Sequence, residues 1–301
     1  MKKNTILIGL FFCTLLGFSQ TESWMTSLEV AKRLARTQDK PILMVWEKAT
    51  SYPLPVVVVA EDGRKVVVEN LFSSIELNKI LWEYFVPVKV GELLYEDMYN
   101  EIKDYRKKSY IDMFNNDSLK VLDANGTIIG TSGAFTELLN FTNFITIYAM
   151  DSSFLKQELV NYDRDTNFYS AFYLGSKYIN YSVFMQSNLR SQILDVADIY
   201  LAEAEVLLEN DPELKDTVDL KERLFLTRLV QDLVKNNSRR VLRHLNKMDT
   251  TAMTVANKSL LDFLYYTAYR LRNDKEGFKN LESEISLSDL RQAQQIVNIN
   301  R

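Results

Sequence analysis

The sequence predicts an α/β domain followed by an all-α helical array. A continuous apolar run at residues 41–46 is typical of a strand buried on both faces of a sheet, and residues 85–90 are predicted to form a second strand. Two β-hairpins are predicted beside them, with polar turns at residues 61–64 and 123–126. From Asp151 onward, apolar residues recur at helical spacing and no convincing strand pattern occurs.

The N-terminal segment, residues 1–19, is predicted to be a cleaved signal peptide rather than part of the fold. Lys2 and Lys3 precede an apolar stretch, Thr5–Phe18, which is shorter than the roughly 20 residues of a bilayer-spanning helix. Its ending, Phe18-Ser19-Gln20, resembles signal peptides of Bacteroidetes. We therefore expect Sec-dependent export, no transmembrane span in the mature chain, and a periplasmic or outer-membrane-associated protein.

The mature chain is predicted to comprise the α/β domain, residues 20–150, and the helical domain, residues 151–301. Without Lys2 and Lys3, 34 of the 36 basic residues remain against 40 acidic ones, a formal net charge of −6. This charge disfavours a nucleic-acid partner, because affinity for nucleic acid depends on basic contacts to phosphate. The small numbers of glycine (9) and proline (5) favour an ordered, helix-rich chain.

The use of cysteine and histidine excludes several kinds of catalysis. Cys13 is the only cysteine, and it lies in the signal peptide, where Phe11 and Phe12 oppose a lipid-attachment motif. The mature chain therefore has no thiol for a disulfide, for nucleophilic catalysis or for a metal site. His244 is the only histidine, so a catalytic triad or an imidazole metal site lacks its partners. We predict no catalytic residue, no metal site and no cofactor.

Polar residues and helix breakers mark the order of the elements. A capping box at Thr26 and Glu29 opens the first helix, and Asp39-Lys40-Pro41 ends it. Ser73 with Glu76 opens the second helix. In the α/β domain, hairpin strands are predicted at residues 55–60, 65–68, 118–122 and 127–130, and further helices at 92–107 and 136–148. In the helical domain, helical segments are predicted at residues 154–160, 168–185, 193–208, 220–234, 241–245, 259–271 and 287–297.

The order of elements over residues 24–148 resembles the thioredoxin-like fold. Exported members of that family carry a tryptophan-bearing helix before a Lys-Pro-Ile-Leu strand, which Trp24 and residues 40–43 match here. The family's central strand is similar to residues 85–90, and its last hairpin to residues 122–126. The resemblance implies a thioredoxin-like domain in this half of the chain.

The positions that carry the family's chemistry depart from its pattern. The Cys-x-x-Cys after the first buried strand is missing, because Trp46 is followed by residues 47–52 and then by the valine-rich hairpin. Asp117 and Ser118 stand where the family has a cis-proline and a threonine. The resemblance therefore implies a degenerate, redox-inactive domain with an inserted hairpin.

The helical half is weakly similar to tetratricopeptide repeats. Leu174-Gly175 and Tyr178 match part of the first helix of such a repeat, and Ala197, Leu201 and Ala204 match part of the second. The motif's tryptophan is missing, and no clear period recurs downstream. We predict paired helices with repeat-like packing, and the sequence leaves open whether they are a true repeat.

Two groups of residues are candidate partner-binding sites. Val57 and Val67 belong to the valine hairpin, whose strands are either buried or open at one edge to a partner strand. Tyr173 and Tyr181 belong to an aromatic cluster within residues 168–184, which either is core or lines part of a peptide groove.

These observations predict a non-enzymatic binding or scaffold protein of the cell envelope with a protein partner. The alternative is an accessory protein or divergent enzyme of a thiol-redox or protein-folding pathway that retains a substrate groove. Thiol-dependent turnover distinguishes the second class from the first.

Overall fold

A computed structural model describes residues 23–133, 138–251 and 253–301 of the chain. In these residues, the N-terminal half contains a small mixed sheet region with helices, and the C-terminal half is largely helical. This arrangement agrees with the predicted order of an α/β region followed by helices. The predicted signal peptide, residues 1–19 with Cys13, lies outside the described residues. Within the described ranges, no helix combines the length and the apolar composition needed to cross a membrane.

Helices and strands alternate along the N-terminal half. Its helices are α1 (Leu28–Gln38), α2 (Ile75–Tyr84), α3 (Glu92–Ile102), α4 (Lys108–Asn115) and α5 (Phe141–Tyr148). Its strands are β1 (Ile42–Trp46), β2 (Val56–Val59), β3 (Lys65–Val68), β4 (Val86–Val90), β5 (Lys120–Leu122), β6 (Ile128–Thr131) and β7 (Leu139–Asn140). A 3-10 helix, Glu47–Ser51, follows β1 directly.

The main sheet has the strand order β4-β1-β5-β6. Strand β1 runs parallel to β4 and antiparallel to β5, and β5 forms an antiparallel hairpin with β6. Ile42, Leu43 and Met44 have no exposed surface in β1, and Val86 and Val88 have none in β4. The predictions of a buried strand at residues 41–46 and of a second strand at residues 85–90 are therefore confirmed.

Trp24 fixes the chain ahead of the first helix. Its indole Nε1 donates to Asn78 Oδ1 at 2.7 Å, and the Asn78 amide in turn donates to the carbonyl of Ser74 at 2.7 Å. Met25 forms an isolated parallel bridge with Val88 of the main sheet. Trp24 thus precedes α1 instead of lying within a helix, because its polar edge is held by α2.

A second sheet has the order β3-β2-β7 and contains the predicted valine hairpin. Val56 lies opposite Val68 and Val57 opposite Val67, so the hairpin prediction is confirmed. Gly63 in the turn has a φ of +81°, a conformation that side chains with a Cβ disfavour. Strand β7, which pairs parallel with β2, was not predicted from the sequence, since two residues carry no readable pattern.

The two helix starts that were predicted from capping residues are each one residue too early. Ser27, not Thr26, is the N-cap of α1, and its Oγ accepts from the Val30 amide. Ser74, not Ser73, caps α2 in the same way. In each pair, the second residue has the extended backbone that lets its hydroxyl reach the first-turn amides.

The helix predicted over residues 92–107 is shorter than expected, since α3 ends at Ile102, and an additional helix that the sequence did not predict, α4, begins at Lys108. The break between α3 and α4 lets α4 direct Tyr110 and Phe114 into the core. The Phe114 ring stacks on Tyr95 of α3 at 4.4 Å, and the Tyr110 hydroxyl accepts from the Ile128 amide at 3.0 Å. The helix predicted over residues 136–148 begins only at Phe141, in α5, because residues 139–140 form β7; residues 136–137 of that prediction lie outside the described residues.

No strand occurs in the described residues from Asp151 to Arg301. A short 3-10 helix, Ser153–Leu155, opens this half. The helices are α6 (Lys156–Arg164), α7 (Phe168–Ser182), α8 (Ser187–Asn210), α9 (Thr217–Val234), α10 (Ser238–Leu245), α11 (Val255–Leu271), α12 (Lys275–Lys279) and α13 (Leu287–Asn298). The prediction of helices throughout is confirmed, and α12 is the one addition within the described residues.

Helices α7 and α8 pack closely at Gly175. A Cβ at this position would lie 2.8 Å from the Leu201 side chain and 3.2 Å from the Ala197 carbonyl oxygen. Leu174 and Ala204 are also fully buried. The residues that resemble a tetratricopeptide pair are thus the ones that bring α7 and α8 together, because small residues let two helix backbones approach.

A buried carboxylate joins the two halves of the molecule. Asp123, in the turn between β5 and β6, accepts from its own turn, at the amides of Asn125 and Thr127, both at 2.9 Å. Its other oxygen accepts from the hydroxyls of Tyr178 in α7 at 3.0 Å and Tyr200 in α8 at 2.6 Å. Burial raises the pKa of Asp123, and these four hydrogen bonds oppose that shift.

Replacing Tyr200 with phenylalanine should lower the free energy of unfolding by about 1–3 kcal/mol, because a buried carboxylate loses a donor. The same change at Tyr169, which is exposed on α7, should alter stability by less than about 0.5 kcal/mol. Urea denaturation followed by circular dichroism measures both values. Equal stability of the wild type and Tyr200→Phe would contradict a joining role for this hydrogen bond.

Candidate functional site

A groove of about 260 Å³ lies between α7, α9, α11 and α13 in the helical half. Its floor is apolar and includes Phe172, Ile179 and Phe263. Its rim is polar and includes Arg223 and Asp289, which come from different helices. An apolar floor with a few polar groups at fixed positions is the usual composition of a ligand-binding pocket.

Two hydrogen bonds hold the polar rim of the groove in place. The Arg223 guanidinium donates from Nη1 to the carbonyl of Ala256 at 2.8 Å, which ties α9 to the first turn of α11. The Gln292 amide donates to Asn180 Oδ1 at 2.7 Å, which ties α13 to α7. Partial burial lowers the pKa of Arg223, and the nearby negative charge of Asp289 opposes this shift. The guanidinium remains a cation at neutral pH.

The two tyrosines predicted to contact a partner have different environments. Tyr173 is 57% exposed and lines the groove. Tyr181 is only 4% exposed, because its ring stacks on Phe154 at 5.9 Å and its hydroxyl donates to the carbonyl of Asp151 at 2.7 Å. Tyr181 is therefore a core residue and is removed from the candidate contact set.

The rest of the aromatic cluster divides in the same way. Members facing the helix core are buried, and members on the opposite side of α7 or just beyond its end are exposed. The buried group is Phe168, Phe172 and Tyr178, and the exposed group is Tyr169 and Phe184. The structure thus combines the two alternatives that the sequence left open, core and accessible surface.

The valine hairpin also has an inner and an outer face. Val56 is fully buried, and its neighbours on the same face, Val58 and Val68, pack against the core. Val57 is half-buried and Val67 is 56% exposed, and they lie opposite each other on the other face. Val57 and Val67 form a surface separate from the groove, since no hairpin residue lines it.

The sequence did not identify the rim residues of the groove. Arg223 on α9, and Asp289 and Gln292 on α13, are polar residues of amphipathic helices, where such residues normally face solvent. They converge only when α9 and α13 pack against α7. No local motif connects positions so far apart in the chain.

A smaller cavity of about 180 Å³ lies in the N-terminal half, beside the segment that follows β1. Ala49 and Tyr52 form one side, and Asp117 and Leu119 form the other. The thioredoxin-like resemblance places the family's cysteines and cis-proline in these two segments. The described residues contain no cis peptide bond, so Asp117 lacks the backbone geometry of that proline.

A buried lysine lies next to this cavity on β5. Lys120 has no exposed surface, and its Nζ donates to the carbonyls of Asn116 and Ser118. The Nζ also lies 5.5 Å from the centre of the Tyr95 ring. Burial lowers the pKa of Lys120 to about 8, and the negative charge of Asp117 opposes the shift.

A third cavity, of about 330 Å³, lies where α1, α3 and α4 meet the β5–β6 turn. Its wall includes Tyr162 and Arg106, which both contact Glu203 on α8, at 2.5 Å and 3.8 Å. The Arg106–Glu203 ion pair crosses between the two halves, and the Tyr162–Glu203 hydrogen bond lies within the helical half. The cavity is therefore bounded in part by a contact that joins the halves.

The described residues contain neither a metal site nor a histidine-based site. No group of three or more histidine, cysteine, aspartate or glutamate side chains is arranged to hold a metal ion there. His244 lies partly exposed on α10, with its ring edge-on to Phe225 at 5.8 Å.

No protein-family model matches the chain, and no curated protein or solved structure matches it significantly.

The buried lysine should make stability depend on pH. The folded protein holds the Lys120 proton less tightly than the unfolded chain, whose lysine pKa is about 10.4. The free energy of unfolding should therefore gain a contribution as pH rises from about 8 to about 10.4. Lys120→Met should lose this contribution, because methionine does not titrate.

Urea denaturation measures the free energy of unfolding of the wild type and of Lys120→Met across this pH interval. Subtracting one from the other removes the contribution of tyrosine titration, which both proteins share. A wild-type minus variant difference that stays constant with pH would contradict the lowered pKa of Lys120.

Proposed function

We propose that this chain is an exported, non-enzymatic binding protein of the cell envelope, with a redox-inactive thioredoxin-like domain and a peptide-binding helical domain. The observation that carries the proposal is the groove between α7, α9, α11 and α13, with Tyr173 exposed at its rim. The outer face of the valine hairpin, with Val57 and Val67, is a second contact surface in this proposal.

The order of elements in the N-terminal half supports the thioredoxin-like interpretation. Parallel strands β1 and β4 are separated by a connection containing α2, and the β5–β6 hairpin then joins the same sheet beside β1. Helix α5 follows, as the sequence resemblance requires. The valine hairpin occupies the connection after β1, where the resemblance places the redox-active helix.

The size and chemistry of the groove favour a peptide segment of a partner protein. A volume of about 260 Å³ accepts one large side chain better than a whole drug-sized ligand, for which pockets begin at about 300 Å³. Asn180 and Gln292 offer amide groups that both donate and accept, as a peptide main chain requires. An exposed tyrosine beside such a pocket is a frequent energetic centre of protein interfaces.

Binding to the groove should depend on Tyr173. A synthetic peptide enriched from a random displayed library on the mature chain should bind in fluorescence anisotropy. Tyr173→Ala should raise its Kd about tenfold or more, because an anchoring aromatic contact is lost.

The matched control is Tyr105→Ala, because Tyr105 is exposed in the N-terminal half, does not line the groove and does not contact Tyr173, whereas Tyr169 stacks on the Tyr173 ring. Its Kd should stay within about twofold of wild type. Failure of the library to yield a binder, or equal losses in the two variants, would overturn the groove as a peptide site.

The second candidate function is an accessory protein or divergent enzyme of a thiol-redox or protein-folding pathway. The observation in its favour is the small cavity beside Asp117, in the place where the resemblance puts a substrate groove. A protein of this class without its own thiol depends on a thiol supplied by another molecule.

We expect the mature chain to have no disulfide reductase activity, because no residue after Gln20 can form a thiolate. Insulin reduction with dithiothreitol should proceed at the rate of a protein-free control. Turnover above that control, retained after repeated purification and unchanged by Tyr173→Ala, would favour the second candidate over the first.

A further inference from the structure

Strand β3 has one paired edge and one open edge. Within the described residues it pairs with β2 on one side, and no strand pairs with its other side. The open edge of a strand presents main-chain donors and acceptors that can pair with another chain. Val66 and Val67 at this edge are 52% and 56% exposed, although β-branched residues favour a covered strand surface.

The charges that flank this edge are symmetric about Val67. Lys65 stands two residues before Val67 and Glu69 two residues after it, and both are exposed. If two copies of β3 pair antiparallel with Val67 opposite Val67, each Lys65 lies opposite Glu69 of the other copy. Opposite charges in directly paired positions stabilise a sheet, whereas like charges destabilise it.

The same register also matches the two faces of the hairpin. Because side chains alternate along a strand, Lys65 and Val67 share the outer face, and Glu69, the exposed residue directly after β3, joins them if the pairing extends the strand by one residue. Val66 lies on the inner face with Val68, which packs against the core. In the paired strands, the exposed Val66 of one copy lies opposite Val68 of the other, so the inner apolar surface continues across the junction.

We propose that this chain forms a two-fold symmetric dimer through antiparallel pairing of β3 with β3 of a second copy. The two three-stranded sheets then become one six-stranded sheet, with β3 and its copy at the centre. The inference rests on the hairpin being a contact surface, as proposed above, and is independent of peptide binding in the groove.

A second copy fits this edge better than an unrelated strand because the charge pattern complements itself. If β3 carried Lys65 without an acidic residue opposite it, the lysines of two paired copies would repel each other. Many proteins protect the open edge of a sheet in this way. Here Glu69 removes that repulsion on both sides of the axis. The strand is short, so the dimer dissociates on dilution.

Charge exchange tests the pairing. In sedimentation velocity at increasing concentration, the mature chain should pass from monomer to dimer. Lys65→Glu and Glu69→Lys each place two like-charge pairs in the interface, and each should raise the dimer Kd roughly tenfold or more. The double variant Lys65→Glu/Glu69→Lys should recover wild-type dimerisation, since it restores opposite charges.

The matched control is Lys79→Glu, which makes the same charge change at an exposed position of α2 outside the hairpin. It should dimerise like wild type, and circular dichroism should show that all variants keep the fold. A monomer at every concentration would overturn the proposal, as would a double variant no better than the single ones. Dimers unaffected by the single variants would overturn it too.

Cross-linking tests the register. The mature chain has no cysteine, so Val67→Cys introduces a single thiol at the position that meets itself across the axis. Directly opposed antiparallel residues have Cα atoms about 4.5–5.5 Å apart, within the range of a disulfide. Mild oxidation should therefore link Val67→Cys into a covalent dimer much faster than Val66→Cys, whose counterpart is Val68.

Equal linking of both variants, or none of Val67→Cys, would reject the register. Peptide binding by the dimer-deficient Lys65→Glu variant distinguishes the two proposals. If the wild type and the Lys65→Glu variant both bind the peptide but the wild type is a monomer at every concentration, the dimer proposal is wrong and the groove proposal stands. If the wild type forms the dimer but neither protein binds a peptide, the groove proposal is wrong and the dimer proposal stands.

Discussion

The buried carboxylate of Asp123 is the constraint on which the rest of the structure depends. A carboxylate without exposed surface must be hydrogen-bonded, since leaving it unpaired in the interior is costly. The turn between β5 and β6 supplies two donors, and Tyr178 and Tyr200 supply the others from two helices of the second half. The α/β half and the helical half are therefore tied together through this residue. Helix α7 has a second role, because Tyr173 and Asn180 on it face the groove.

The segment after β1 is where the chain departs most from the family that it resembles. The proposed thioredoxin-like interpretation places a nucleophilic cysteine there, but the chain instead forms a 3-10 helix and the valine hairpin. The hairpin adds a second sheet against α5, where the Val59 amide donates to Thr142 Oγ1 at 2.8 Å. The cavity left beside Asp117 is small, and its neighbour Lys120 is directed into the core.

For both the valine hairpin and helix α7, the sequence does not show which residues are buried and which are exposed. A run of valines lacks the alternation of polar and apolar residues that normally assigns the faces of a strand. The inner valines complete the core, and the outer ones, with Lys65 and Glu69 beside them, form an accessible edge. In α7, likewise, the cluster of aromatic residues supplies both the core contact of Tyr181 and the exposed rim residue Tyr173.

The sequence by itself determined most of the elements and showed that Cys13 is the only cysteine, because apolar periodicity, turn residues and residue type are local properties. It therefore predicted the strands β1 and β4, both hairpins and the long helices. Tertiary packing decided the early end of α3 at Ile102, the added helix α4 and strand β7, and the burial of Tyr181. It also brought Arg223, Asp289 and Gln292 to one groove. These features depend on which face of an element another element covers, and a single strand or helix pattern contains no information about its neighbour.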